Sequence, residues 1–157
     1  MSIVVREAPA RHTNTDLWHR WVDLWNGNFD LAESVIAPKL QTHLPAFGRP
    51  ADTEPVDGPA TLVRWLEEWR SRFSLSVLTT DFGPFVNDDY ILARRRFTGV
   101  WQSGEPLGAT APAGTEVEFA GVDILRVEDG RISEYWVGDN LIDMYVRLGA
   151  IHDPVRS

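Results

Sequence analysis

The chain has 157 residues, of which 43% are hydrophobic, 24% charged and 11% aromatic, with a formal net charge of −8. That is material for one domain with a real core; there is no apolar run near the roughly 18 residues a membrane helix needs, and twelve glycines and ten prolines are too few for a collagen-like or low-complexity chain. The absence of cysteine excludes a disulfide framework, a thiolate metal site and a cysteine nucleophile, and the acidic balance argues against nucleic acid as a partner.

Residues 1–12 read as a lead-in without a secretory signal, so a cytoplasmic location is the expectation. From Thr13 the pattern is helical. Leu17, Trp18, Trp21, Val22, Leu24 and Trp25 recur at three- and four-residue spacing. Thr13, Asn14 and Thr15 are candidate N-caps, Asp16 suits the first turn, and Gly27 ends the run as a glycine past a helix should. Asp30 can cap a shorter helix through Val35 that Pro38 stops from extending. Leu40 to Leu44 reads as a short strand, and residues 45–58 as a loop. Asp57-Gly58-Pro59 opens a third helix with its stripe at Leu62, Trp65, Leu66, Trp69 and Phe73.

The period then changes to two. Strands are expected over about residues 75–86, 90–101, 116–127 and 131–137. Asn87-Asp88-Asp89 is a turn, Asp129-Gly130 is a two-residue hairpin signal, and residues 102–114 form a loop rich in glycine, proline and alanine. A terminal helix from Leu141 to Leu148 closes on Gly149. Helices followed by mostly antiparallel strands make an α+β domain spanning 1–157, its core about 13–149. A twisted sheet covered by helices can leave a cone-shaped hollow between the two layers.

The run from Gly114 to Trp136 (GTEVEFAGVDILRVEDGRISEYW), then Gly138-Asp139-Asn140 and Arg147-Leu148-Gly149, resembles the C-terminal half of a SnoaL-like polyketide cyclase. Leu24-Trp25-Asn26-Gly27-Asn28-Phe29-Asp30, and Ile91-Leu92-Ala93-Arg94 leading to Thr98-Gly99, extend the likeness over most of residues 17–149. The resemblance implies the cone-shaped nuclear-transport-factor-2-like fold, with a curved sheet covered by the N-terminal helices. It also implies intramolecular aldol closure of a bulky polyketide without any cofactor, and a homodimer or larger homo-oligomer built on the outer sheet face, where Val100 and Phe97 or their alternates lie. In that family an aspartate just after this tryptophan strand is the acid/base group. The matching positions are Asp139 and, one residue later, Asn140.

Read from the residues, the hairpin places Glu128 opposite Arg131 and Asp123 opposite Trp136. Alternation then puts Phe119, Asp123, Leu125, Val127, Ile132, Glu134 and Trp136 on one face. Asp123 is thus a carboxylate among apolar neighbours, and desolvation should raise its pKa toward the range useful for proton transfer. Asp139 falls on the opposite face, where it either caps the terminal helix or is swung inward by a bulge at Gly138. Of three successive arginines, Arg95 shares a face with Ile91, Ala93, Phe97 and Trp101, whereas the resemblance points to Arg94. An inward arginine could pair with Asp123 or hold an enolate oxygen. His43 lies beside the short strand; a histidine side chain has a natural pKa near neutrality, and the family often has a histidine at the cavity mouth there.

The candidate catalytic set is therefore Asp139, Asp123 and His43; Trp136, Arg94, Arg95, Asn140, Trp18, Trp21 and Phe47 are candidates for binding a hydrophobic substrate. No metal is expected, since four scattered histidines show no ligand spacing, and no phosphate-cradling loop or nucleophile elbow is present. The alternatives are an isomerase or epoxide-opening enzyme on the same fold, and a non-catalytic small-molecule-binding domain. The limonene-epoxide hydrolase pattern is broken, because Arg94 is followed two residues on by Arg96 rather than aspartate.

Overall fold

The computed structural model describes residues 13–45, 49, 51–102 and 108–155. The first helix, α1 (Asn14–Trp25), begins at a reciprocal cap: the Asp16 N–H donates to Thr13 Oγ1 at 3.1 Å and the Thr13 N–H to the Asp16 carboxylate at 3.2 Å. Its stripe of Leu17, Trp18, Trp21, Leu24 and Trp25 is buried, as the spacing requires. A 3-10 turn (Phe29–Leu31) runs straight into α2 (Ala32–Val35), so Asp30 lies inside the turn and caps nothing.

The strand β1 (Ile36–His43) starts four residues earlier than the sequence pattern indicated and includes Pro38. It is tolerated there because β1 is a sheet edge, where a missing N–H breaks no inner ladder. In α3 (Pro59–Ser71) proline takes the first position and the Thr61 hydroxyl accepts from the N–H groups of Asp57 and Gly58 at 2.9 and 3.0 Å.

Four strands follow: β2 (Phe73–Asn87), β3 (Tyr90–Trp101), β4 (Glu116–Glu128) and β5 (Arg131–Asp139), then α4 (Leu141–Arg147). The single sheet of the described residues has the order β1-β5-β4-β3-β2, with β1 parallel to β5 and every other pair antiparallel. Asp129 and Gly130 both have positive φ, the signature of the tight mirror-image turn expected there. Helices α1 and α3 cover one face of the sheet, where Ile91, Ala93, Phe97, Trp101, Val117, Phe119 and Leu125 are buried. Phe97 is therefore core, not part of an outer face with Val100. Among the described residues no helix is long and apolar enough to cross a membrane.

The β4–β5 register departs from the simple hairpin in one place. Glu128 pairs with Arg131 and Val127 with Ile132, but Arg126 then pairs with Glu134, leaving Ser133 as an extra residue. Asp123 consequently faces Val137, and Ile124 faces Trp136. The extra residue inverts the rest of β5: Tyr135 becomes fully buried with Ile132, while Glu134 and Trp136 turn to the outer face.

Candidate functional site

Arg95, in the middle of β3, is fully buried, as alternation with Ile91, Ala93 and Phe97 demands. Its Nε donates to Asp123 Oδ1 at 3.0 Å. Asp123, on the neighbouring β4, is also fully buried and accepts from the Tyr135 hydroxyl on the same oxygen at 3.0 Å and from Trp21 Nε1 on the other at 3.0 Å. Three donors from β3, β5 and α1 thus converge on one carboxylate. A buried charge is tolerated only with this degree of pairing.

The second carboxylate is Asp139, the last residue of β5. The bulge at Ser133, not one at Gly138, puts it on the inner face. Its Oδ1 lies 2.7 Å from Arg95 Nη2, and its side chain keeps 10% of its exposure, whereas Asp123 and Arg95 keep none. Asp139 pairs across the ladder with Gly121. A Cβ at position 121 would lie 2.1 Å from Asp139 Oδ1, so only glycine leaves room for this carboxylate.

Burial pushes the Asp139 carboxyl up from 3.8 to about 6; Arg95 opposes this and the negative charge of Asp123 adds to it. Burial likewise pushes the Tyr135 phenol well above its ordinary range, and Asp123 reinforces it. The Arg95 guanidinium is held above its ordinary value: burial acts against its charge, but Asp123, Tyr135 and Asp139 outweigh that. The cluster therefore contains one permanent cation and one carboxyl that is partly exposed and titrates near neutrality.

Several candidates stand elsewhere. Arg94 points away from the interior and pairs with Asp81 on the outer face, because its alternation is opposite to that of Arg95. His43 is also outward: its Nε2 is 2.8 Å from Glu134 and its ring stacks on Trp136 at 5.0 Å between centroids. His43 and Trp136 therefore form an outer-face pair and line no interior wall. Asn140 is exposed at the N-cap of α4, its amide donating to Asp143 at 2.7 Å, so the helix cap is Asn140 and not Asp139. Trp18 and Trp21 are fully buried inside, with Trp18 Nε1 donating to Thr80 at 2.9 Å. Phe47 lies outside the described residues.

Two members of the cluster were not singled out from the sequence. Tyr135 could not be, because a residue-by-residue alternation from the turn places it outward. Gly121 carries no side chain to attract notice, and its importance lies in what it leaves empty. Among the described residues there is no group of three or more His, Asp or Glu side chains arranged to hold a metal ion. A surface groove of about 1100 Å³ between α4, the C-terminal segment and the ends of β3 and β4 is lined by Leu75, Val100, Ile142 and Val146 and contains none of the acid cluster.

The family model described as SnoaL-like polyketide cyclase matches residues 15–147. The chain belongs to this family. Solved structures with the same fold include IdmH, a candidate polyketide cyclase from Streptomyces antibioticus, at 23% identity and a TM-score of 0.74, covering 88% of this chain and 99% of that one. TsrD from Streptomyces laurentii is 21% identical with a TM-score of 0.69, covering 93% and 100% of the two chains. A candidate SnoaL-like polyketide cyclase from Jannaschia sp. CCS1 is 18% identical with a TM-score of 0.72, covering 94% and 99%. No curated protein matches the chain at a significant level. These likenesses bear out the cone-shaped α+β fold of a SnoaL-like domain. AclR from Streptomyces galilaeus, a candidate hydroxylase, has the same fold at 24% identity and a TM-score of 0.69, covering 88% and 82% of the two chains, so the fold alone does not fix the reaction.

Proposed function

We propose that this SnoaL-like protein is a cofactor-independent acid/base enzyme acting on a bulky, hydrophobic, polyketide-like molecule, with Asp139 as the group that carries the proton. The observation that carries the reading is that Asp139 alone in the buried cluster is both accessible and titrating near neutrality. As a carboxylate it would remove a proton from carbon next to a carbonyl, leaving an enolate and a carboxylic acid. The enolate would attack a second carbonyl, and the same carboxylic acid would return the proton to the new alkoxide. A carboxyl near 6 serves both half-reactions at neutral pH, and groups in this role contribute roughly a hundred- to ten-thousand-fold.

Asp123 has a different part in this reading. It touches only protein groups, so it is a positioning residue that holds Arg95 in place and, through its charge, helps keep Asp139 protonatable. The test is deuterium exchange into the acidic C10 position of a tricyclic anthrone, followed by proton NMR. Catalysed exchange that disappears in Asp139→Asn is expected. Exchange no faster than buffer, or undiminished in that variant, overturns the assignment.

A further inference from the structure

The groove between α4, the C-terminal segment and the ends of β3 and β4 encloses about 1100 Å³ and holds no residue of the acid cluster. Its apolar lining is aliphatic, with Leu75, Val100, Ile142 and Val146 along it. Its charge is one-sided. Glu116 and Glu118 line it from β4, and Asp143 and Asp153 from α4 and the C-terminal segment, with Arg147 as the one cation of the lining and His152 beside it. Glu118 is paired with Arg96, and Arg147 Nε donates to the Glu116 backbone carbonyl. Even with Arg96 counted, the groove is acidic.

One leucine at its rim is held where the fold gives it no burial. Three steps along β2, from Ser74 to Val77, match two along β3, from Val100 to Thr98, so β2 bulges there. Leu75 lies in that bulge with φ +52° and is 81% exposed. A left-handed backbone is unfavourable for a bulky residue, and glycine is its ordinary occupant in a bulge. Backbone strain of this kind concentrates where a protein meets something else. Ile142 lines the same groove and is 64% exposed.

The β2 edge next to Leu75 is closed to a further strand. The Asn26 side-chain amide takes both backbone groups of Leu78, accepting from its N–H at 2.8 Å and donating to its carbonyl at 2.9 Å, and Arg70 Nη1 donates to the Ser76 carbonyl at 3.4 Å. A partner therefore meets this region through side chains and not by strand addition.

We infer that the groove is a docking site for a basic amphipathic helix of a partner protein, its apolar stripe seated on Leu75, Val100, Ile142 and Val146 and its Lys or Arg side chains on Glu116 and Asp143. A second copy of this chain is a poor occupant, since each copy brings a net charge of −8 and the same acidic groove. The site is independent of the acid/base reading of Asp139.

The experiment uses three peptides of about 14 residues, roughly four helical turns. One has leucines at helical spacing and lysines on the opposite face; the second has glutamate in place of lysine; the third is a scramble of the first without an apolar stripe. Affinity is read by calorimetry, and the contact is mapped by amide shifts in the isotope-labelled full chain. The first peptide is expected to bind at least about tenfold tighter than either control, with shifts at Leu75, Val100, Ile142 and Val146. Leu75→Asn keeps a residue that tolerates the left-handed backbone and removes the aliphatic contact. It should weaken the first peptide roughly tenfold with no fall in the urea midpoint. Glu116→Gln with Asp143→Asn should weaken it about fivefold at low salt. Both variants should keep deuterium exchange at the wild-type rate, and Asp139→Asn should keep peptide affinity, so this site and the acid/base assignment fail separately. Absent binding of the first peptide, equal binding of the scramble, or undiminished affinity in either variant overturns the inference. So do a lower urea midpoint in Leu75→Asn, shifts confined to the exposed Phe82, Phe85 and Leu92, and self-association of the unliganded chain through the groove residues.

Discussion

Gly121 and Asp139 face each other across the β4–β5 ladder so closely that the carboxylate occupies the space where any other residue at 121 would have its Cβ. The acid is seated by a missing side chain. Gly121→Ala should therefore expel the Asp139 carboxylate toward water, return its pKa from about 6 toward the ordinary carboxylate range, and remove most of the exchange activity. Carboxyl carbon shifts in a pH titration by NMR measure this directly; an unchanged midpoint would show that the strand yields instead.

Asp139 also makes a stability prediction. Its carboxyl titrates higher in the folded chain than when unfolded, so folding favours the protonated form. The group's contribution is fully favourable below pH 3.8 and is lost as pH rises to about 6. Asp139→Asn should therefore be more stable than wild type at pH 7, by about 1–3 kcal/mol, with the difference shrinking as pH falls below 6. Urea unfolding at pH 4.5 and pH 7 checks it.

Arg95, itself fully buried, holds together a fully buried carboxylate and a mostly buried one. Arg95→Met leaves Asp123 and Asp139 as like charges in the core, with only neutral donors beside Asp123. Removing one partner of a buried pair costs about 3–5 kcal/mol. Part of that loss should return in the double variant Arg95→Met with Asp123→Asn, measured as the midpoint of urea unfolding.

On the outer face, His43 makes an exposed contact to Glu134 and stacks on Trp136. His43→Ala should change stability by less than about 1 kcal/mol and leave exchange activity at the wild-type level. A fall in activity as large as that of Asp139→Asn would return His43 to the site.

The pH profile of exchange distinguishes a base from an acid. If Asp139 must be ionised to begin, the rate rises with pH through a midpoint near 6 and then levels. A rate that falls with rising pH over this range would assign the first step to the protonated form.

Much of this architecture was legible locally. The Thr13–Asp16 cap, the tryptophan stripe of α1, the Pro59 start of α3 and the Asp129-Gly130 turn are set by neighbours in the chain, because caps, turns and helical stripes depend on residues a few positions apart. The same holds for Arg95, since β3 is regular opposite β4 over its length and simple alternation carries it inward. Asp123 was recognisable as buried for the same reason, and the family likeness pointed to Asp139 or its neighbour Asn140.

What only the folded chain decided is the content of β5. One additional residue at Ser133 exchanges the two faces of every later position, placing Tyr135 and Asp139 inside and Trp136 outside with His43. No motif announces such a residue, because strand pairing is settled by how all the buried side chains fit against α1 and β4 at once. The family fold belongs to the pattern of the chain; which second acid joins Arg95 on the inner face belongs to a single slip in its ladder.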